Sequence, residues 1–184
     1  VSISPLTDIV IDSNVGGYFG PYKKFAGFDV IQIDGKADQD TVILIDGIEN
    51  TIKIYNATDL PQDAYEMSDA LTRHFDGEKP VNVSVVTAGP GAENTFFGCL
   101  NFSWWDAGRK MVRYKQAGRG GIGTVFADKK VKAIVARYGA ISMKANAPAD
   151  LDALKLVTKT HAKEINTLDP KQNHMAKIGT THLV

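Results

Sequence analysis

Two periods of apolar residues alternate along the chain, and the points where one gives way to the other mark its elements. Residues 8–12 read as a short strand. Residues 29–33 (Asp-Val-Ile-Gln-Ile), 41–45 (Thr-Val-Ile-Leu-Ile) and 51–55 (Thr-Ile-Lys-Ile-Tyr) are rich in β-branched side chains and divided by Asp-Gly or Gly-Lys turn signals, which predicts a β-meander. Over residues 63–75 the period changes: Ala64, Met67, Leu71 and Phe75 recur at helical spacing, as in an amphipathic helix laid on a sheet. Strand character returns at 81–86, breaks at Ala88-Gly89-Pro90-Gly91, and resumes with many aromatics at 94–104. Residues 108–123 are polar, basic and glycine-rich; a short helix ending near Asp128 and an apolar strand at 131–136 follow. A brief helix is predicted at 21–25, with Pro21 in its first turn. From 148 to 167 the pattern is helical, with Leu151, Leu154, Thr158 and Ile165 on one side. The expected fold is α+β, dominated by antiparallel strands with few helices, and a helical segment starts near residue 146.

Composition narrows the class of function. With 43% hydrophobic and 23% charged residues, the chain has the make-up of a soluble globular protein. Its 184 residues suffice for one well-buried domain and part of another. Twenty-one basic residues balance 21 acidic ones, so charge gives no reason to expect a nucleic-acid or anionic-membrane partner. No apolar run approaches the roughly 20 residues of a membrane span, and the first residues lack the marks of a signal peptide. A single cysteine, Cys99, excludes an internal disulfide or a four-cysteine metal site and suits the cytoplasm. Without an initiator Met, and ending at His182-Leu183-Val184, the chain is expected to be a segment of a longer subunit.

Two glycine-rich loops carry the candidate chemistry. One is Asn14-Val15-Gly16-Gly17-Tyr18-Phe19-Gly20; the other is Lys115-Gln116-Ala117-Gly118-Arg119-Gly120-Gly121-Ile122-Gly123, preceded by Arg109, Lys110 and Arg113. Successive backbone N–H groups in such loops form concavities for phosphate oxygens, and nearby arginine or lysine adds charge-assisted hydrogen bonds. A Gly-Gly pair is more often a tight turn or bulge than a ligand site. No Gly-Lys-Ser/Thr is present, so neither is a Walker loop. Gly118-x-Gly120-x-x-Gly123 fits the dinucleotide fingerprint in letter only, because a polar, basic segment precedes it in place of a buried strand. The four histidines have no metal-ligand spacing. Cys99 reads as a buried structural thiol, Trp104-Trp105 as packing, and Asp34, Asp38, Asp40 and Asp46 as solvated residues of turns and strand ends. No catalytic constellation is readable.

The blocks Ser4-Pro5-Leu6-Thr7, Ser13-Asn14-x-Gly16-Gly17-Tyr18-Phe19-Gly20, Lys24-Phe25-Ala26-Gly27-Phe28-Asp29, Gly35-Lys36-Ala37, Ala57-Thr58-Asp59-Leu60, Gly89-Pro90-Gly91-Ala92-Glu93-Asn94, Ala117-Gly118-Arg119-Gly120-Gly121-Ile122-Gly123-Thr124-Val125 and Asp128-Lys129-Lys130-Val131-Lys132-Ala133-Ile134 occur in one order. They resemble the N-terminal domain of the tungsten-containing aldehyde ferredoxin oxidoreductases over residues 1–139. Residues 140–184 fit more loosely, as a linker and the first helices of the next domain. The resemblance implies an antiparallel, two-sheet β platform, followed by the start of a helical domain, that carries tungsten on two molybdopterin dithiolenes whose phosphates are bridged by Mg2+. It implies a 4Fe-4S cluster and acid–base residues outside this segment, and hence no catalytic residue within it.

Carried over by position, Asn14 and Gln116 offer backbone carbonyls to Mg2+. Gly16 and Gly17 lie against a pterin, and Lys115, Gln116, Ala117, Gly118 and Arg119 form the second cofactor loop. Where the family has arginine then alanine before Ala-Gly-Arg-Gly-Gly, this chain has Lys115-Gln116, and lysine lacks arginine's bidentate fork. The implied activity is anaerobic oxidation of aldehydes to carboxylic acids, with electrons passing to ferredoxin or an electron-transfer subunit in a homo- or hetero-oligomer. The alternatives are a low-potential reductase of the benzoyl-CoA reductase type, acting on an acyl substrate, and a non-catalytic platform or assembly module.

Overall fold

The computed structural model describes residues 1–75, 80–141 and 148–183. Two compact units are present, Val1–Ala145 and Asn146–Val184. The first holds a two-stranded ribbon, β1 (Ser2–Ile3) and β2 (Val10–Ile11), then α1 (Phe19–Phe25), β3 (Thr41–Asp46), β4 (Thr51–Asn56), α2 (Ala64–Phe75), β5 (Val83–Thr87), β6 (Leu100–Asp106), β7 (Met111–Ala117), α3 (Ile122–Asp128) and β8 (Val131–Arg137). The second unit holds α4 (Leu151–Gln172) and the short α5 (Met175–Ile178). The fold is α+β, with one six-stranded sheet in the order β4-β3-β8-β5-β6-β7 beside the ribbon.

Side chains alternate across that sheet, so each central strand feeds two cores. Ile43, Ile45, Val86, Ile134 and Ala136 join Tyr22 of α1, Ala26 at its C-terminal cap and Phe126 of α3 on one face. Val42, Leu44, Val83, Val85, Ala133 and Val135 join Met67, Leu71 and Phe75 of α2 on the other. Burial on both faces is why 42–45 and 133–136 read as unbroken apolar runs. Asp63 starts α2 by accepting the N–H groups of Tyr65 (2.8 Å) and Glu66 (3.1 Å) at its side-chain oxygen. Asp150 caps α4 in the same way, through Ala153 N–H at 2.9 Å.

Three parts of the sheet differ from the sequence expectation. Residues 29–33 form no strand: Ile31 and Ile33 do pack against the first core, but among the described residues no strand pairs with them. The meander is therefore a β3–β4 hairpin. Residues 111–117, read as part of a polar loop, are the edge strand β7, whose exposed and half-buried positions alternate from Met111 to Lys115 and which ends on the buried Ala117. Charged side chains on an edge hide its strand character and guard it against association. The sheet is also mixed, since β3 and β8 pair parallel, the one parallel contact among its five pairings.

Buried polar groups lock the layers. Thr87 Oγ1 donates to the Ala64 carbonyl at 3.0 Å and lies 3.2 Å from Ser68 Oγ, tying α2 to β5. Ser103 Oγ accepts the Val85 N–H at 3.0 Å, and Ser84 Oγ donates to the Ser103 carbonyl at 2.5 Å. These side-chain bonds continue the β5–β6 seam past its two ladder pairs. Asp46, read as a solvated turn residue, is instead fully buried and bonded to Arg137, its neighbour in the β3–β8 register. Its partner stands 91 positions away, beyond any local pattern.

Candidate functional site: a cleft shared by two glycine-rich loops

The first loop leaves the ribbon at Ile11 and enters α1; the second links β7 to α3. The sheet order leaves β7 at one edge, and the first loop lies over its inner end. A Cβ on Gly17 would stand 3.7 Å from both Lys115 Cγ and Trp104 Cε3, ordinary contact distance. Tyr18 packs on the same indole, with ring centroids 6.0 Å apart. Trp104 and the stem of Lys115 thus floor the first loop, in keeping with a packing role for Trp104.

Two further contacts join the loops directly. The Arg119 backbone N–H donates to Ser13 Oγ at 3.1 Å, and Gly120, at φ 67, is pressed by the side chain of Ile11. Gly121 also has positive φ, 60, where its α-carbon backs onto the Phe96 carbonyl. Two successive left-handed residues with no room for a Cβ explain this glycine pair without any ligand.

Between the loops opens a cleft of about 560 Å³ lined by Ile11, Asp12, Asn14, Gln116, Gly118 and Arg119. Of the eight sequence-derived site residues, four therefore line one cavity. Asn14 is exposed and its amide donates to Asp12 Oδ2 at 3.3 Å. The Gln116 amide donates to Asn101 Oδ1 at 3.3 Å, which leaves its side chain engaged along the sheet. Gly17 and Lys115 meet each other outside the cleft lining. Ala117 is buried in the core, so only its backbone is available to a ligand. At Gly16 and Gly118 a Cβ would have nothing within 4 Å.

The basic window divides on folding. Arg109 and Arg113 reach Asp106 at 2.9 and 3.6 Å, at the far end of the β6–β7 hairpin, and the Arg109 guanidinium holds the Asp106 carboxyl below the usual carboxylate range. An extended strand rising about 3.4 Å per residue sets Arg113 roughly 14 Å from Ala117, where β7 ends and the loop to Arg119 begins. Only Lys115 and Arg119 stay near the cleft, and among the described residues neither has an ion-pair partner. Tyr114, between them and Arg113 in sequence, leaves from the other face of β7 and donates to Asp69 Oδ1 at 2.7 Å. Burial, then the Asp69 carboxylate, pushes its phenol well up.

A strand does precede the Gly118-x-Gly120-x-x-Gly123 signature, contrary to the sequence expectation, and α3 follows it. The chain of antiparallel pairings β8–β5–β6–β7 nevertheless sets β7 and β8 running in opposite directions. No parallel βαβ unit exists there to hold a dinucleotide. Cys99 is half-buried. Among the described residues, no group of three or more His, Cys, Asp or Glu side chains is placed to hold a metal ion, and no helix is long and apolar enough to cross a membrane.

Comparison with known proteins follows this geometry. Residues 1–138 match the family model described as aldehyde ferredoxin oxidoreductase, N-terminal domain. The tungsten-containing aldehyde ferredoxin oxidoreductase of Pyrococcus furiosus is 30% identical over 187 aligned positions, covering 100% of this chain and 28% of the relative. That of Pyrococcus horikoshii is 33% identical over 139 positions, covering 74% of this chain and 21% of the relative. This chain thus spans about a quarter of the length of these relatives. Among solved structures, the active site complex BamBC of benzoyl coenzyme A reductase in complex with 1,5 dienoyl-CoA is similar at a TM-score of 0.60 and 26% identity. That match covers 74% of this chain and 19% of the solved one. On this evidence the chain belongs to the aldehyde ferredoxin oxidoreductase family, whose N-terminal domain its first 138 residues represent.

Proposed function

We propose that the chain is the cofactor-cradling part of a larger tungsten–bis(pterin) iron–sulfur oxidoreductase that oxidises aldehydes to carboxylic acids in the cytoplasm. The observation behind this reading is the single cleft lined by Asn14, Gln116, Gly118 and Arg119 from two loops. The residues present fit such a group. Backbone carbonyls of Asn14 and Gln116 are hard oxygen donors of the kind Mg2+ takes together with phosphates. Arg119 offers a planar fork for phosphate oxygens, and Lys115 a point charge. Open space at Gly16 and Gly118 lets a flat ligand approach the backbone. When bound, the tungsten–pterin group supplies the two-electron chemistry by which an aldehyde and water give a carboxylate. This chain's residues bind it, orient it and offset its phosphate charge. In this reading residues 1–139 are the platform and residues 140–184 lead into the helical domain with the 4Fe-4S cluster. Electrons leave through that cluster to ferredoxin or an electron-transfer subunit.

A second reading, a low-potential reductase of an acyl-CoA substrate, draws on the likeness to the benzoyl coenzyme A reductase complex. Metal analysis of the complete subunit, purified without oxygen, tests the shared core of both. Stoichiometric tungsten with iron and magnesium supports the cradle; a folded subunit without tungsten or molybdenum overturns it. Turnover of aldehydes against benzoyl-CoA then separates the two readings.

A further inference from the structure

Ser13 has no ligand role in the reading above, yet it sits between Asp12 and Asn14, both on the cleft wall. Its hydroxyl oxygen accepts the Arg119 N–H at 3.1 Å across 106 residues of sequence. The Arg119 backbone has little else to orient it. The β6–β7 ladder ends at Ala117 opposite Leu100, and Gly120 and Gly121 follow with φ of 67 and 60. The side chain of Ile11 against Gly120 sets how closely the loops approach, but apolar packing is non-directional. A hydrogen bond has a direction, and this one fixes the peptide plane from which Arg119 departs.

We propose that Ser13 is a positioning residue of the cradle: by holding the Arg119 peptide, it presets the guanidinium and adjoining backbone for a phosphate-bearing ligand before that ligand arrives. The proposal rests on the functional reading above. Its test uses the complete subunit, purified without oxygen, as wild type, Ser13→Ala and Ser13→Thr. Three quantities are followed: the rate of pterin release on dilution, hydrogen exchange at the Arg119 amide, and the melting temperature. Ser13→Ala is expected to release pterin roughly three- to tenfold faster, as loss of one hydrogen bond implies. Arg119 exchange should quicken locally, with the melting temperature shifted by no more than about 2 °C. Ser13→Thr, which keeps the hydroxyl, should restore slow release. Should the alanine variant fail to accumulate, Ser13→Cys takes its place with the same expectation. Wild-type release rates in Ser13→Ala, or no rescue by threonine, overturn the proposal while leaving the cradle standing. A folded wild-type subunit that carries no pterin overturns the functional reading and the role of Ser13 with it.

Discussion

The α-carbon of Gly120 lies against the Cγ2 methyl of Ile11, so that a Cβ at this position would overlap the methyl. Gly120 also sits at φ 67, a conformation that costs other residues about 1 kcal/mol or more. Gly120→Ala is therefore expected to destabilise the domain by about 2 kcal/mol and to spread the two loops. Denaturant unfolding of the complete subunit would measure the first effect, and its pterin content the second.

Arg119 and Arg113 differ in what they serve. Arg119 lines the cleft, whereas Arg113 stands near Asp106 at the hairpin's far end. Arg119→Ala should weaken retention of the phosphate-bearing cofactor roughly ten- to hundredfold, the range for a hydrogen bond to a charged group. Arg113→Ala should leave retention within about twofold, since exposed ion pairs contribute little. Equal effects from both substitutions would count against the cleft as the binding site.

Asp46 gives the fold an acid limit. Burial, its largest single influence, pushes the carboxyl up, but Arg137 and the N–H groups of Glu49 and Ile48 together outweigh it and hold the carboxyl below the usual range. A depressed folded-state pKa stabilises above the unfolded value, about 3.9, and that contribution fades as pH falls through the folded one. Stability should thus decline below about pH 4. Arg137→Ala leaves the carboxylate buried and unpaired, at a cost of about 3–5 kcal/mol near neutrality. Because Asp46 then gains by protonation, the variant should recover part of that loss as the pH is lowered. Urea titrations at stepped pH resolve both signs.

Ser103→Ala removes the hydroxyl that accepts the buried Val85 N–H. An unsatisfied buried donor costs about 1–3 kcal/mol, and the Val85 amide should exchange markedly faster. Thermal unfolding with amide exchange checks both.

Much of this architecture is readable from side-chain periodicity, because strands such as 41–45 and the α2 pattern of Met67, Leu71 and Phe75 bury what the pattern says they bury. What escapes is what depends on neighbours. Ile31 and Ile33 alternate as a strand should, yet among the described residues no strand pairs with them. In β7 the charges of an edge conceal the ladder. The parallel β3–β8 pairing and the Asp46–Arg137 bond join residues far apart in sequence. At the site, glycine count was a blunt guide: Gly120 and Gly121 answer to Ile11 and Phe96, while Gly16 and Gly118 stand clear of the protein. Basic residues misled likewise, since Arg109 and Arg113 belong to the hairpin tip. Ser13 gave no sequence signal beyond lying beside Asn14, for its partner is a backbone amide.

The two walls of the cleft are 106 residues apart along the chain where Ser13 meets Arg119. A ribosome delivers the first wall long before the second exists, and the second rides on the β6–β7 hairpin, whose strands pair with each other across a short turn. Contacts of such long range form late in folding. The cleft therefore has no nascent form, and under the proposed function loading of a cofactor is an event in the life of a finished domain.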